Sequence, residues 1–82
     1  MADPTYADVL AQVVRPLLTV PDALTIEEVR TKNAVRLDFA VAADDGGRMI
    51  GKGGGTIRAI RTLLEFAAAR NDDRVVVELK DA

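Results

Sequence analysis

Between Met49 and Ile57 the chain reads MIGKGGGTI, and four of the five residues from Gly51 to Gly55 are glycine. Glycine carries no Cβ and takes positive φ without steric cost, so a second polymer's backbone can approach such a segment closely. The segment opens directly into a helical pattern starting at Thr56. The first free amides of that helix, and the positive end of its dipole, therefore point toward whatever occupies the loop. An anion is the natural occupant, and a phosphate backbone is the form of anion that a bare main chain suits best. A plain turn between two helices needs only one or two glycines.

Other chemistry is sparse. The chain has no Cys and no His, which removes disulfides, thiolate zinc sites, cysteine nucleophiles and the commonest general base. No nucleophile and base pair stands out, so the chain is not read as an enzyme, and no cofactor or metal is expected. GGRMIGKG, from Gly46 to Gly53, satisfies the G-x-x-x-x-G-K of a nucleotide-binding loop. It fails at the next step, because Gly53 stands where a Ser or Thr must hold magnesium. Asp44 and Asp45 are adjacent carboxylates without further ligands, and read as a turn and helix cap rather than a metal site.

Charge is unevenly spread. The net charge is −2, yet residues 46–70 hold Arg48, Lys52, Arg58, Arg61 and Arg70 against Glu65 alone. The remainder carries six basic and twelve acidic side chains, so an anionic ligand is confined to one face and repelled elsewhere. Arg58 and Arg61 also fall on the outward side of a helix, where solvated charge is common. With 82 residues there is room for one small domain spanning 1–82, with a core over about 4–80. Half the residues are apolar but only 4% are aromatic, which implies an aliphatic core and argues against base-stacking platforms. MADPTYADVL has neither a basic region nor an unbroken apolar run, so no membrane association and a cytoplasmic location are expected.

The elements that must position the loop follow from periodicity. Asp3 and Pro4 form a helix-start signature, and Tyr6, Val9, Leu10, Val13, Val14, Leu17 and Leu18 recur at helical spacing. Pro16 implies a kink or a fresh turn within that pattern, and Val20 to Ala23 reads as a loop. Thr25 to Arg30 and Ala34 to Val41 read as a hairpin turning at Lys32 and Asn33. Asp44 and Asp45 are expected to cap a short helix from about Gly47 to Ile50. After the glycines, Ile57, Ile60, Leu63, Leu64, Ala67 and Ala68 mark the buried face of a helix over Thr56 to Arg70, ended by Asn71 to Asp73. Arg74 to Leu79 reads as the last strand. Tyr6 and Phe39 read as core or near-core residues, and Met1 to Asp3 and Asp81 to Ala82 as loose ends. The order is αββααβ, an α+β fold whose last strand should lie parallel to the second, with the helices on one sheet face.

Ile50, Gly51, Lys52, Gly53 and Gly54 spell I-G-x-x-G between two helices, and within αββααβ this resembles the prokaryotic (type II) KH domain. PLLTVPD, GRMIGKGG, TIRAIRTLL and RVVVE fall where the small bacterial KhpA family has similar stretches, so the resemblance covers nearly the whole chain. It implies a three-stranded mixed sheet and a non-catalytic protein whose loop clamps about four unpaired nucleotides of RNA. In that reading Gly51, Lys52, Gly53 and Gly54 contact phosphate, and the helix opening at Thr56 faces it. Ile50 and Ile57 help wall an apolar groove, although both also suit a core. Arg48, Arg58 and Arg61 add flanking charge. Gly55 departs from the family, which more often has a basic or polar residue there. The resemblance further implies a homodimer, or a heterodimer with a larger Jag-like KH protein, and roles in RNA metabolism and cell-envelope or division control. The alternative is a protein-interaction or assembly module of KH shape with little RNA affinity.

Overall fold

Residues 5–80 are described by a computed structural model. The first helix, α1 (Tyr6–Val14), is capped by Thr5, whose hydroxyl accepts the Asp8 amide at 3.1 Å while the Asp8 carboxylate accepts the Thr5 amide at 3.2 Å. This reciprocal box occupies the first free donors of the helix. Asp3 and Pro4, expected to begin the helix, lie outside the described residues. Pro16 lacks the amide that a further α turn would need, so α1 ends at Val14 and a 3-10 turn, Arg15–Leu17, takes over. The tighter turn re-aims the side chains that follow. Leu18 is buried, but Leu17, expected on the apolar face, is 41% exposed.

After a second 3-10 turn, Pro21–Ala23, come β1 (Thr25–Arg30) and β2 (Ala34–Ala40), paired antiparallel with Ile26 opposite Phe39. Then follow α2 (Ala43–Ile50), α3 (Gly55–Ala69) and β3 (Arg74–Leu79). The sheet order is β1-β2-β3, with β3 parallel to β2 as expected, Val35 facing Val75 and Leu37 facing Val77. The period-2 alternation of β2 and β3 sends Val35, Leu37, Phe39, Val75 and Val77 into one core with Leu10, Val14, Met49, Ile57, Ile60 and Leu64. The opposite sheet face stays open. There Asp38 is buried to 8% exposure and is satisfied by Arg36 Nε at 2.9 Å.

Two expectations for the helices are corrected. Leu63 is 51% exposed rather than buried: the buried stripe of α3 is Ile57, Ile60, Leu64 and Ala68, with Ala67 packed at its edge. Asp44 and Asp45 do not cap a helix at Gly47: α2 begins at Ala43, so both carboxylates fall within its first turn. Asp45 is fully buried. Its carboxylate accepts the Thr19 amide at 3.0 and 3.2 Å, the Thr19 hydroxyl at 2.8 Å and the Val20 amide at 3.1 Å. α3 closes on Asp72, in the left-handed region at φ 56, with the Asp73 amide donating to the Ala68 carbonyl at 3.0 Å. Tyr6 ties this corner to α1, donating its hydroxyl to Asp73 at 2.6 Å and accepting from Asn71 at 3.0 Å. No helix among the described residues is long and apolar enough to cross a membrane.

The amides of Thr19 and Val20 hold the Asp45 carboxyl below the usual carboxylate range, against the opposing effect of burial. A carboxyl more acidic in the folded chain contributes stability that is present above its unfolded value, about 3.9, and lost as pH falls through the folded value. Asp45→Asn should therefore lower the urea midpoint at pH 7 by more than Asp44→Asn does, since Asp44 is exposed. The gap between wild type and Asp45→Asn should close below about pH 4. A gap that stays constant from pH 7 to pH 3 would contradict this assignment.

Candidate nucleic-acid interface

The joint between α2 and α3 is built almost wholly from backbone. Gly51, Gly53 and Gly54 adopt φ of 72°, 64° and 76°, a region that side-chain-bearing residues seldom enter. Gly55 does not share this geometry, for at φ −65° it is already the first residue of α3. Gly51 is doubly constrained. A Cβ there would overlap the Thr56 hydroxyl and lie 3.0 Å from the Thr56 amide nitrogen, whereas at Gly53 the space is open. Lys52, Gly53 and Gly54 form a single 3-10 turn, closed by the Gly54 amide on the Gly51 carbonyl at 3.2 Å. The Gly51 amide is likewise used, donating to Gly47 at 2.9 Å. Among the described residues the amides of Lys52 and Gly53 have no protein acceptor. They are the loop donors open to a ligand.

The basic residues around the loop divide by what they already hold. Arg58 donates from Nη2 to the Gly53 carbonyl at 2.9 Å, so it braces the loop as well as charging it. Arg61 lies one turn further along α3 and donates from Nε to the Val77 carbonyl of β3 at 3.1 Å, a contact that joins helix to sheet. Arg48 and Lys52 are exposed and have no carboxylate within ion-pair distance among the described residues. The two isoleucines also part. Ile50 is 47% exposed, whereas Ile57 is 9% exposed and packs in the core.

Ile50 borders a groove of about 370 Å³ lined by Val41, Ala43, Gly46, Gly47, Leu79 and Lys80. Its lining comes from α2 on one hand and the end of β3 on the other, with Val41, Ile50 and Leu79 apolar and Lys80 charged. Gly46 and Gly47 meet nothing within 4 Å where a Cβ would stand, so their bareness opens the groove instead of relieving a clash. Gly46 and Gly47, with Val41, Leu79 and Lys80, are not among the site residues expected from the sequence. One signal was available: Gly46 and Gly47 precede Ile50 by four and three residues, the spacing of a single helix face. Groove and loop are thus neighbours, since the groove residue Ile50 is followed directly by Gly51.

The left-handed glycines differ in what replacement would do. Gly53→Ala should cost only the backbone term, about 1–2 kcal/mol. Gly51→Ala should cost a further ~1–3 kcal/mol, because the Thr56 backbone cannot yield as a flexible side-chain tip would. Urea denaturation reads both, and equal losses would contradict the packing of Gly51 on Thr56.

The model of the KhpA/KhpB KH domain matches residues 7–79. RNA-binding protein KhpA of Chlamydia pneumoniae is 40% identical over 72 residues, covering 88% of this chain and 92% of that protein. RNA-binding protein KhpA of Bacillus subtilis is 32% identical over 81 residues, covering 99% and 100%. Among solved structures, an Era variant from Aquifex aeolicus bound to GDP and aluminium fluoride superposes with a TM-score of 0.69 at 16% identity, over 95% of this chain and 31% of that one. Era in complex with MgGDPNP and nucleotides 1506–1542 of 16S ribosomal RNA gives a TM-score of 0.62 at 18% identity, over 96% and 35%. At those identities the likeness is one of fold. The family-model match across nearly the whole chain, and relatives that align along almost their full length, bring fold and lineage to one answer: this chain belongs to the KhpA/KhpB family of KH domains, a non-catalytic family.

Proposed function

We propose that this protein binds single-stranded RNA without catalysis, clamping the sugar-phosphate backbone against Gly51–Gly54 and laying bases in the groove between α2 and the end of β3. The observation that carries the reading is the pair of unpartnered amides at Lys52 and Gly53, on a left-handed turn with Lys52 exposed beside them. The relatives' name, RNA-binding protein KhpA, supports the same ligand. Arg48 adds charge at the end of α2, and the first turn of α3 at Gly55, Thr56 and Ile57 directs its dipole to the loop. Arg58 contributes charge while holding Gly53, and Arg61 does so from the junction with β3. With few cations and no stacking aromatics at the groove, a single copy should bind in the micromolar range or weaker, with strong salt dependence.

Family membership supports a cytoplasmic setting in RNA metabolism or post-transcriptional regulation, with effects on the cell envelope or division. It also supports pairing, as a homodimer or with a larger Jag-like KH protein, and joining two grooves would raise avidity. One observation favours pairing in its own right. Leu63 and Phe66 stand 51% and 70% exposed on the outward face of α3. The same observation favours a second reading, a pairing module with little RNA affinity.

A double change, Lys52→Asp with Gly53→Asp, separates the two. It puts carboxylates where phosphates would lie, at positions with open space and no core contact, and aspartate tolerates the left-handed backbone better than most residues. Affinity for unpaired oligonucleotides should fall at least about tenfold, with a shallower salt slope, since each lost phosphate contact removes about 0.7 from it. Self-association should change little, and the stability lost should not exceed the left-handed backbone cost at position 53, about 1–2 kcal/mol. Unchanged RNA binding would dismiss the loop reading and leave the pairing module.

A further inference from the structure

Among the described residues α2 buries only two side chains, Asp45 and Met49. It is also a poor helix in isolation: eight residues long, with Gly46 and Gly47 at its centre, each costing about 1 kcal/mol relative to alanine. Its placement therefore depends on what grips it from outside. Met49 supplies an apolar contact without direction. Asp45 supplies the directional one, because its carboxylate gathers both backbone amides and the hydroxyl of the Thr19–Val20 segment, more than twenty residues earlier in the chain. A buried carboxylate so saturated holds its donors in one geometry, and moving α2 would break several charge-assisted bonds together. The groove residues Gly46, Gly47 and Ile50 ride on this helix, and the loop begins immediately after it.

We infer that Asp45 is a positioning residue for RNA: by clamping α2 to the Thr19–Val20 segment it sets the groove wall and the start of the glycine loop in register with the end of β3. The inference rests on the RNA-binding reading above. It makes a prediction opposite in sign to simple electrostatics. Removing a negative charge near a phosphate-binding loop should tighten RNA binding, whereas unclamping α2 should weaken it.

The test compares Asp45→Asn with Val75→Ala as a stability control. Val75 is buried at the start of β3, four residues from Leu79, or about 13 Å along a strand. Binding of a fluorescent unpaired oligonucleotide at low salt is read together with amide hydrogen exchange. Asp45→Asn should bind about tenfold more weakly or worse, the scale on which supporting contacts act at other built sites. Exchange should quicken at Arg48 to Gly54. Val75→Ala should lose stability yet, while folded, bind as wild type does and leave those amides unchanged. Thr19→Val, which removes only the hydroxyl donor, should shift both readouts in the same direction by less, and it carries the test if Asp45→Asn does not fold. Binding by Asp45→Asn or Thr19→Val equal to or tighter than wild type, or exchange at 48–54 no faster than in Val75→Ala, would overturn the inference. If wild type itself binds no oligonucleotide, the RNA reading fails, and the exchange comparison still decides whether Asp45 positions α2.

Discussion

As the proposed RNA clamp, the joint between α2 and α3 has to satisfy two demands at once: it must be bare enough for a polymer backbone to approach and rigid enough to present its amides in one direction. Gly51 meets both. Its positive φ turns the chain out of α2, and the absence of a Cβ leaves room for the Thr56 side chain and amide to pack directly against it. The end of α2 uses the Gly51 amide and the 3-10 turn that follows uses that of Gly54, which leaves the Lys52 and Gly53 amides without a protein acceptor among the described residues. Arg58 then fastens the turn from the α3 side through the Gly53 carbonyl.

In the proposed function, specificity for an anion lies in the backbone rather than in a massed cationic surface. The sequence is net negative, and of its cations near the loop Arg58 and Arg61 are each engaged with a main-chain carbonyl. A protein built this way gains little from long-range attraction. It depends on short, directional donors whose value falls steeply when they are displaced. The weak grip of α2 on the core therefore becomes a functional matter, since a helix with two central glycines and two buried residues supports one half of the site. Packing of α3 is far more secure, with Ile57, Ile60, Leu64 and Ala68 set into the sheet.

Much of this was legible in the residues. Alternation in β2 and β3, the four-residue rhythm of α3 and the glycine run fix the order of elements, the parallel pairing and the place of the loop, because each is a local pattern read over neighbouring positions. What escaped was non-local or directional. Asp45 looked like a cap because aspartate beside a turn usually is one; its true partners lie in a segment that only the fold brings alongside. Leu63 fits the apolar rhythm of α3 but stands at the edge of a stripe too narrow to bury it. Leu17 was carried outward when Pro16 converted the helix end to a 3-10 turn, a change of pitch that a count of 3.6 cannot foresee. Gly46 and Gly47 were visible as glycines, but their meaning depended on where α2 began.

The central claim is that outward amides on a left-handed glycine turn hold the backbone of RNA. The most direct measurement is an NMR titration of the protein with short unpaired oligonucleotides of mixed sequence at low ionic strength, followed at individual backbone amides. Shifts should be largest at Lys52 and Gly53, extend through Ile50 and the first turn of α3, and fade when salt is added. Amides from Arg48 to Arg58 that stay still throughout the titration would contradict the account.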